Sequence, residues 1–246
     1  MRIVITISYD GTSYCGWQRQ KNGVSVQEVI ENALYEITGK KTNVVGSGRT
    51  DSGVHAIGQV AHFDTESTVP PEKFYLALNS RLPDDIRILS SSVAPEGFHA
   101  RYSAKRKTYV YNFYVSPIIL PLKERYAVRV DDFSVEKART ALDQIVGTHD
   151  FKCFLASGSE IKTTVRTIYS ATATRCGNDV KIEICGNGFL YNMVRIIAGT
   201  TLYYSQDKLV GNDVTDAIIS GDRKKVGKTA PAKGLILKSV EYDVIS

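Results

Sequence analysis

The chain of 246 residues is long enough for one domain or for two domains with separate cores. Its hydrophobic fraction of 43% and charged fraction of 23% are typical of globular proteins. No apolar run approaches the roughly 18 residues of a membrane-spanning helix. The four cysteines lack C-x-x-C spacing and the N-terminus lacks the features of a signal peptide, so we expect a protein of the reducing cytoplasm. The formal net charge of +5 permits a polyanionic partner without requiring one.

The first half of the chain predicts the element order β-α-β-β-α-β. Alternating apolar residues predict a strand over residues 2–9. Ser25 and Glu28 form a capping box for a helix that ends at Gly39. Strand, strand, helix and strand then follow, near residues 42–45, 57–64, 70–79 and 86–93. This is the order of a ferredoxin-like fold.

The second half repeats this order with added elements. Strands are predicted near residues 107–115, 126–130, 165–175, 180–185 and 235–244. Helices are predicted from Ser134 to Gly147 and near residues 189–204 and 213–220. We therefore expect an α+β protein of two ferredoxin-like halves, residues 1–104 and 105–246, whose sheets join across a central cleft.

The stretch GSGRTDSGVHAIGQVAHF, residues 46–63, is the first candidate for chemistry. Glycine turns on both sides of Arg49 and Asp51 would present a cation and a carboxylate on a loop between two strands. Alternatively, the two residues are ordinary turn residues that form a local ion pair. The stretch alone leaves both interpretations open.

Three other segments combine cations with aromatic or apolar neighbours. The loop after the first strand carries Arg19 and Lys21 beside Tyr14 and Trp17, and it either grips RNA or covers the core with its indole. The segments 98–109 and 222–234 are candidates for phosphate contacts, the alternative being solvated surface. Their candidate residues are Arg101, Lys105, Arg106, Lys107, Arg223, Lys224 and Lys225.

Arg195 is the one cation within an otherwise apolar predicted helix. A guanidinium in apolar surroundings requires an anion, and Asp51 is the candidate. The alternative is that Arg195 reaches solvent along its aliphatic stem.

Several better-known motifs are absent. The glycine loop lacks a Walker lysine, so it does not predict a nucleotide-binding loop. His55 and His62 are not spaced like metal ligands. Asp51-Ser52-Gly53 matches the D-S-G of aspartic peptidases, but that chemistry requires two carboxylates that share a proton, and Arg49 would oppose such sharing.

Taken together, the segments resemble those of the TruA-type tRNA pseudouridine synthases. The resemblance runs from near residue 8 to near residue 240. The matching segments are YDGTSYCGWQRQ, GRTDSGVHA, FHARYSA, KTYVY, GTHDF, FLYNMVR and APAKGL.

The resemblance implies a cytoplasmic homodimer that converts uridine to pseudouridine at positions 38–40 of the tRNA anticodon stem-loop, without metal, nucleotide or other cofactor. It implies that Asp51 is the catalytic aspartate and that Tyr109 contacts the base. It also implies that Arg195 pairs with the aspartate and that Arg49 enters the RNA stem where the target base leaves. A non-catalytic RNA-binding protein is the alternative, but RNA binding alone does not require this set of four residues.

Overall fold

The computed structural model describes residues 1–158 and 161–243, which form two compact units. The first unit comprises Met1–Lys105 together with the segment from Ile236 onward, and the second comprises Arg106–Leu235. From sequence we expected a boundary after residue 104 and assigned the whole C-terminal segment to the second half. That segment instead groups with the first unit, because its strand pairs with a strand of that unit.

The first unit is a sheet with two helices. Its elements are β1 (Arg2–Tyr9), α1 (Val26–Thr38), β2 (Val45–Gly46), β3 (His55–Asp64), α2 (Phe74–Asn79) and β4 (Ile86–Val93). β1 runs antiparallel to both β3 and β4, and β2 pairs with β3.

The second unit contains β5 (Arg106–Val115), β6 (Val128–Val130), α3 (Val135–Asp143), β7 (Gly147–Asp150), β8 (Val165–Cys176), β9 (Asp179–Gly186), α4 (Met193–Ser205) and α5 (Asp213–Ser220). Its strands follow the order β5-β9-β8-β7, and β6 lies parallel to β5. The last strand, β10 (Leu235–Glu241), runs parallel to β3 in the first unit.

Local sequence signals account for the clearest elements. Ser25 Oγ accepts a hydrogen bond from Glu28 N at 3.2 Å at the start of α1, and Gly39 ends that helix with φ +67°. In β1, Ile3, Ile5 and Ile7 are all buried, as period-two alternation predicts. The α+β class is confirmed, with five α-helices among the described residues. That each half is ferredoxin-like stays a prediction.

The predicted bounds of α3 and α4 differ from those in the structure. The helix α3 ends at Asp143, and the segment around Gly147 forms the unpredicted strand β7. The helix α4 begins at Met193 rather than near Phe189, because Asn192 adopts a left-handed conformation that interrupts helical geometry. The predicted end of the last strand, Val244, lies outside the described residues.

Candidate active site

Asp51 lies in the loop between β2 and β3, and Gln59 of β3 fixes the start of this loop. The fully buried Gln59 accepts a hydrogen bond from Ser47 Oγ at 2.6 Å and donates from Nε2 to Gly48 O at 3.0 Å. Ser47 N donates to Val60 O at 2.7 Å. Side-chain and main-chain bonds to a single strand therefore hold the loop before it reaches Asp51.

The loop of residues 11–17 packs against the backbone of the Asp51 loop. Gly16 has φ +108°, and a Cβ atom at this position would lie 2.5 Å from Thr50 O, so only glycine allows the approach. Tyr14 O accepts hydrogen bonds from Ser52 Oγ at 3.2 Å and from Gly53 N at 3.4 Å. The two loops therefore support each other on both sides of Asp51.

The aromatic residues of the loop 11–17 are part of the core. Trp17 is 3% exposed and lies against Gly46, where a Cβ atom would be 2.5 Å from the indole ring. Tyr14 is also buried, and its hydroxyl donates to Asp85 Oδ1 at 2.6 Å. Burial raises the pKa of Tyr14, and the hydrogen bond to Asp85 raises it further. The sequence left open whether this loop binds RNA or covers the core. The side chains of Tyr14 and Trp17 cover the core.

Asp51 is half-buried, whereas Arg49 is exposed. Between them, the buried Thr50 makes an Oγ1–OH hydrogen bond of 2.8 Å to Tyr9. Burial raises the pKa of Tyr9, so its hydroxyl stays neutral and acts as a hydrogen-bonding anchor. Asp51 O accepts from Val54 N at 3.1 Å. This arrangement fixes the backbone on both sides of a carboxylate that keeps access to solvent.

In the second unit, Arg195 occupies the first turn of α4 and is half-buried. Its Nε donates to Ala230 O at 2.8 Å, and its Nη1 donates to Asn192 Oδ1 at 2.6 Å. The acceptor segment is itself held, because Ala230 N donates to Arg195 O at 3.1 Å and Tyr111 Oη donates to Pro231 O at 2.7 Å. The guanidinium is therefore oriented by groups of its own unit.

The segment 227–231 approaches α4 closely enough to require glycine on both sides. A Cβ atom at Gly199 would lie 1.8 Å from Lys228 O, and one at Gly227 would lie 2.5 Å from Gly199 C. Gly227 N donates to Thr200 Oγ1 at 3.0 Å. This contact places the carbonyl group of Ala230 where it can bind Arg195.

Tyr109 is 8% exposed and lies on β5 opposite Ile184 of β9. Its ring meets the ring of Phe189 edge to face, with centroids 5.2 Å apart and planes at 86°. Phe189 precedes α4 in the segment that the sequence assigned to the helix itself. Neighbouring aromatic packing therefore fixes the orientation of the Tyr109 ring.

The candidate phosphate contacts differ in their surroundings. Arg19 forms ion pairs with Glu28 at 3.1 Å and Glu31 at 3.4 Å. Arg223 donates to Gly227 O at 2.9 Å and to Thr229 Oγ1 at 3.3 Å. Both arginines therefore already bind protein oxygens, whereas the lysines predicted beside them are exposed in the structure: Lys21, Lys224 and Lys225.

The basic segment 101–107 is mostly exposed. Lys105 Nζ lies 2.7 Å from Asp243 Oδ2, and Arg106 Cζ lies 4.6 Å from the ring centroid of Tyr169. Arg101 is exposed and Lys107 is half-buried. This segment thus offers several cations to solvent within a short length of chain.

Sequence reasoning missed two residues that position the candidate side chains. Gln59 is a buried amide within a strand that is otherwise largely apolar, and this contrast was the available signal. Asn192 directly precedes the start of α4, and asparagine is among the residues that tolerate the left-handed conformation. Neither signal identifies the partner of the side chain.

Within residues 1–158 and 161–243, no group of three or more His, Cys, Asp or Glu residues is placed to hold a metal ion. None of the helices in the same ranges has the length and apolar character that crossing a membrane would require.

A profile of the tRNA pseudouridine synthase family matches residues 5–103 and 141–243 of this chain. The chain belongs to this family. Among similar proteins are those named tRNA pseudouridine synthase A from Thermoanaerobacter sp. (strain X514), 45% identical over 241 residues, and from Ruminiclostridium cellulolyticum, 48% identical over 243 residues. Each alignment covers 98% of this chain and 99% of the relative.

Two solved structures also resemble the chain. The first is a chain of a Cbf5-Nop10-Gar1 complex, with 12% identity and a TM-score of 0.40. The alignment covers 96% of this protein and 48% of that chain, so the protein spans about half of its length. The second is a chain of an archaeal box H/ACA sRNP Nop10-Cbf5 complex, with 10% identity, a TM-score of 0.35, and coverage of 94% and 58%.

Family membership confirms the predicted family and the predicted enzyme class, an isomerase. It also favours the enzyme over the alternative of a non-catalytic RNA-binding protein. The roles of Asp51, Arg49, Tyr109 and Arg195, and the pairing of Arg195 with Asp51, stay predictions.

Proposed function

We propose that this protein converts uridine to pseudouridine in the anticodon stem-loop of tRNA, at positions 38–40, with Asp51 as the nucleophile. The observation that carries the proposal is the half-buried carboxylate of Asp51 on a backbone held by β3 and by the loop 11–17, in a chain of this family. A fixed carboxylate with access to solvent suits a nucleophile that must meet a large substrate.

The reaction rearranges the substrate without oxidation or a second reactant. The C1′–N1 bond of the uridine breaks and a C1′–C5 bond forms, while C5 loses a proton and N1 gains one. Asp51 attacks either the sugar or the uracil ring, forms a temporary covalent bond, and leaves when the new bond is complete. No cofactor is required for this balance.

The remaining side chains act on the flipped nucleotide. Extruding a base from a stack costs a few kcal/mol. The exposed guanidinium of Arg49 fills the vacated position by stacking, which offsets part of that cost. Tyr109 holds the flipped uracil by ring contact, and Arg195 pairs with the negative charge of Asp51.

We assign binding of the RNA phosphate backbone to the basic residues predicted from sequence. Each lysine or arginine that neutralises a phosphate releases counterions, so affinity for RNA falls steeply with salt. Five exposed candidates contribute most: Lys21, Arg101, Arg106, Lys224 and Lys225. Lys107 is half-buried, and Arg19, Lys105 and Arg223 exchange a protein oxygen for the phosphate.

We also propose a homodimer that works in the cytoplasm, and two ferredoxin-like halves. The strand order β4-β1-β3 with β2 paired to β3 supports a ferredoxin-like first unit. The dimer rests on the family resemblance. Light scattering at micromolar concentration tests it, and a fully active monomer would overturn it.

Tritium release tests the proposed reaction directly. An unmodified tRNA transcript carrying uridine labelled with tritium at C5 should lose label when incubated with the protein, because the C5 proton leaves in every turnover. A transcript in which only the uridines at positions 38–40 are replaced by cytidine is the matched control. Unchanged release from that control would reject the anticodon stem-loop as the target, and no release from either transcript would reject the activity.

A further inference from the structure

Tyr102 is an exposed aromatic residue in the turn of residues 98–103, which follows β4. It is 76% exposed, so its ring forgoes most of the stabilisation that burial would provide. Single exposed apolar side chains are common on protein surfaces and need no explanation. Tyr102 differs because its ring rests on a rigid support.

The support is His99. The two rings have centroids 4.3 Å apart and planes at 34°. His99 Nδ1 accepts hydrogen bonds from Arg101 N at 3.1 Å and from Tyr102 N at 3.3 Å. Ser103 closes the turn, because its Oγ accepts from His99 N at 3.1 Å and its N donates to His99 O at 2.9 Å. The backbone of the turn therefore fixes the imidazole on which Tyr102 lies.

His99 is anchored in turn to the interior of the first unit. Its ring contacts the ring of His62, with centroids 4.9 Å apart. The buried His62 accepts a hydrogen bond at Nδ1 from Ala100 N at 3.1 Å and packs edge to face against Phe98. Burial lowers the pKa of His62 to about 4, so this ring is neutral at physiological pH and its Nδ1 is free to accept the hydrogen bond from Ala100 N.

A cation stands beside the exposed ring. Arg101 Cζ lies 5.7 Å from the ring centroid of Tyr102, and Arg101 is itself exposed. An aromatic face next to a guanidinium matches the two parts of a nucleotide, since the base stacks on the ring and the phosphate binds the cation.

We propose that Tyr102, supported by His99, is a stacking platform for an unpaired nucleobase of the RNA substrate, and that Arg101 binds the phosphate of that nucleotide. The inference rests on the proposed function insofar as the ligand is RNA. The proposed function assigns the target uridine to Asp51 and Tyr109, so the platform binds a different nucleotide of the substrate. A base inside a duplex has no free face, so the platform selects single-stranded RNA.

Fluorescence anisotropy with a short labelled oligouridine and with duplex RNA of equal length tests the platform. Tyr102→Ala should weaken binding of the oligouridine about tenfold, which is the order of one base–aromatic stack. Tyr102→Phe keeps the ring and should retain the wild-type affinity, and binding of the duplex should not change. Tyr35→Ala is the matched control, since Tyr35 is 52% exposed on α1 of the same unit.

A second variant keeps the test valid if Tyr102→Ala fails to fold. Tyr102→Trp preserves an aromatic ring and adds an exposed indole to a chain whose single natural tryptophan, Trp17, is buried. Saturating oligouridine should quench the added emission. Unchanged emission, or equal effects of Tyr102→Ala and Tyr35→Ala, would overturn the proposal.

Loss of self-association by Tyr102→Ala with unchanged affinity for RNA would assign the ring to a protein interface and would also overturn the platform. These binding measurements require no turnover. Their failure would therefore leave the proposed reaction standing, and failure of tritium release would not affect them.

Discussion

Asn192 orients the guanidinium of Arg195 through a hydrogen bond of 2.6 Å from Nη1 to Oδ1. Asn192 directly precedes α4 with φ +60°, a conformation that asparagine adopts more readily than most residues. Ala230 O binds Nε of the same guanidinium at 2.8 Å. Because the two acceptors bind different nitrogen atoms, they fix the plane of the group as well as its position. Asn192 is therefore a positioning residue for Arg195.

Variants of Asn192 distinguish the effect of this hydrogen bond from the effect of the left-handed backbone. Asn192→Gly keeps the left-handed geometry but removes the acceptor, and Asn192→Asp restores an acceptor. A hydrogen bond to a charged group contributes about 1.5–3 kcal/mol, so we expect Asn192→Gly to slow single-turnover isomerisation by roughly 10- to 100-fold. Asn192→Asp should recover most of the rate. Equal rates for the two variants, at equal thermal stability, would argue against a positioning role.

Arg195 variants test the charge that Asn192 orients. Arg195→Met should nearly abolish turnover, while Arg195→Lys should retain part of it, because the charge survives without the planar two-pronged geometry. Loss of a partly buried ionic partner costs on the order of 3 kcal/mol. Arg139→Met is the control, since Arg139 also lies on a helix and donates to a backbone carbonyl, that of Ala173. Comparable activity of Arg195→Met and Arg139→Met in tritium release would contradict the assignment.

Asp51→Asn should eliminate turnover and leave tRNA binding intact, because the change preserves size but removes the nucleophile, while phosphate contacts elsewhere supply affinity. Asp84→Asn is the matched control, since Asp84 is an exposed carboxylate of the same unit that pairs with Arg87. Tritium release and filter binding give the two readouts. Turnover above a few per cent of wild type in Asp51→Asn would exclude Asp51 as the nucleophile.

Charge reversal tests the basic segment 101–107. The combined change of Lys105, Arg106 and Lys107 to glutamate should weaken tRNA binding. It should also make the binding less dependent on salt. The negative slope of log affinity against log salt concentration should decrease in magnitude by about one for each phosphate that the protein no longer neutralises.

The control is the reversal of three exposed lysines elsewhere in the chain with the same change in net charge: Lys40, Lys41 and Lys73. It also matches the local ion pairs, because Lys40 pairs with Glu66 as Lys105 pairs with Asp243. Equal loss of affinity in the two triple variants would mean that only overall charge matters.

Because the pKa of His62 is lowered in the folded protein, we expect the protein to lose stability on acidification. Burial, assisted by Arg2 and His99, lowers the pKa of His62 from 6.5 to about 4. Between pH 6.5 and pH 4, His62 therefore binds a proton in the unfolded chain but not in the folded protein. The contribution of neutral His62 to the free energy of unfolding is complete above about pH 6.5 and is lost as the pH falls toward 4. Its size is on the order of 2 kcal/mol, since one pKa unit corresponds to about 1.4 kcal/mol and solvent screens part of the effect.

Urea unfolding of the wild type and of His62→Gln between about pH 7 and pH 4 measures this contribution. Other groups, such as Asp64 with its pKa lowered by Arg2, titrate in both proteins and cancel in the difference. The wild type should lose more stability than the variant over this interval. Parallel curves would contradict the depressed pKa.

The sequence by itself determined the elements whose signals are local. The Ser25 cap and Gly39 stop of α1 and the alternation in β1 each depend on residues a few positions apart. The family also followed from sequence, because its signature segments can be read without their spatial arrangement. The candidate residues Asp51 and Arg49 were found in the same way.

Only the tertiary structure decided which side chains hold these residues in place. Gln59 and Ser47 are 12 positions apart, and Arg195 and Ala230 are 35 positions apart, so no local pattern connects them. The burial of Trp17 depends on the close approach at Gly46, and the late start of α4 depends on the left-handed backbone of Asn192. Local sequence determines the conformations that are low in free energy for a segment, whereas contacts distant in sequence decide which of them is kept and what each polar atom binds.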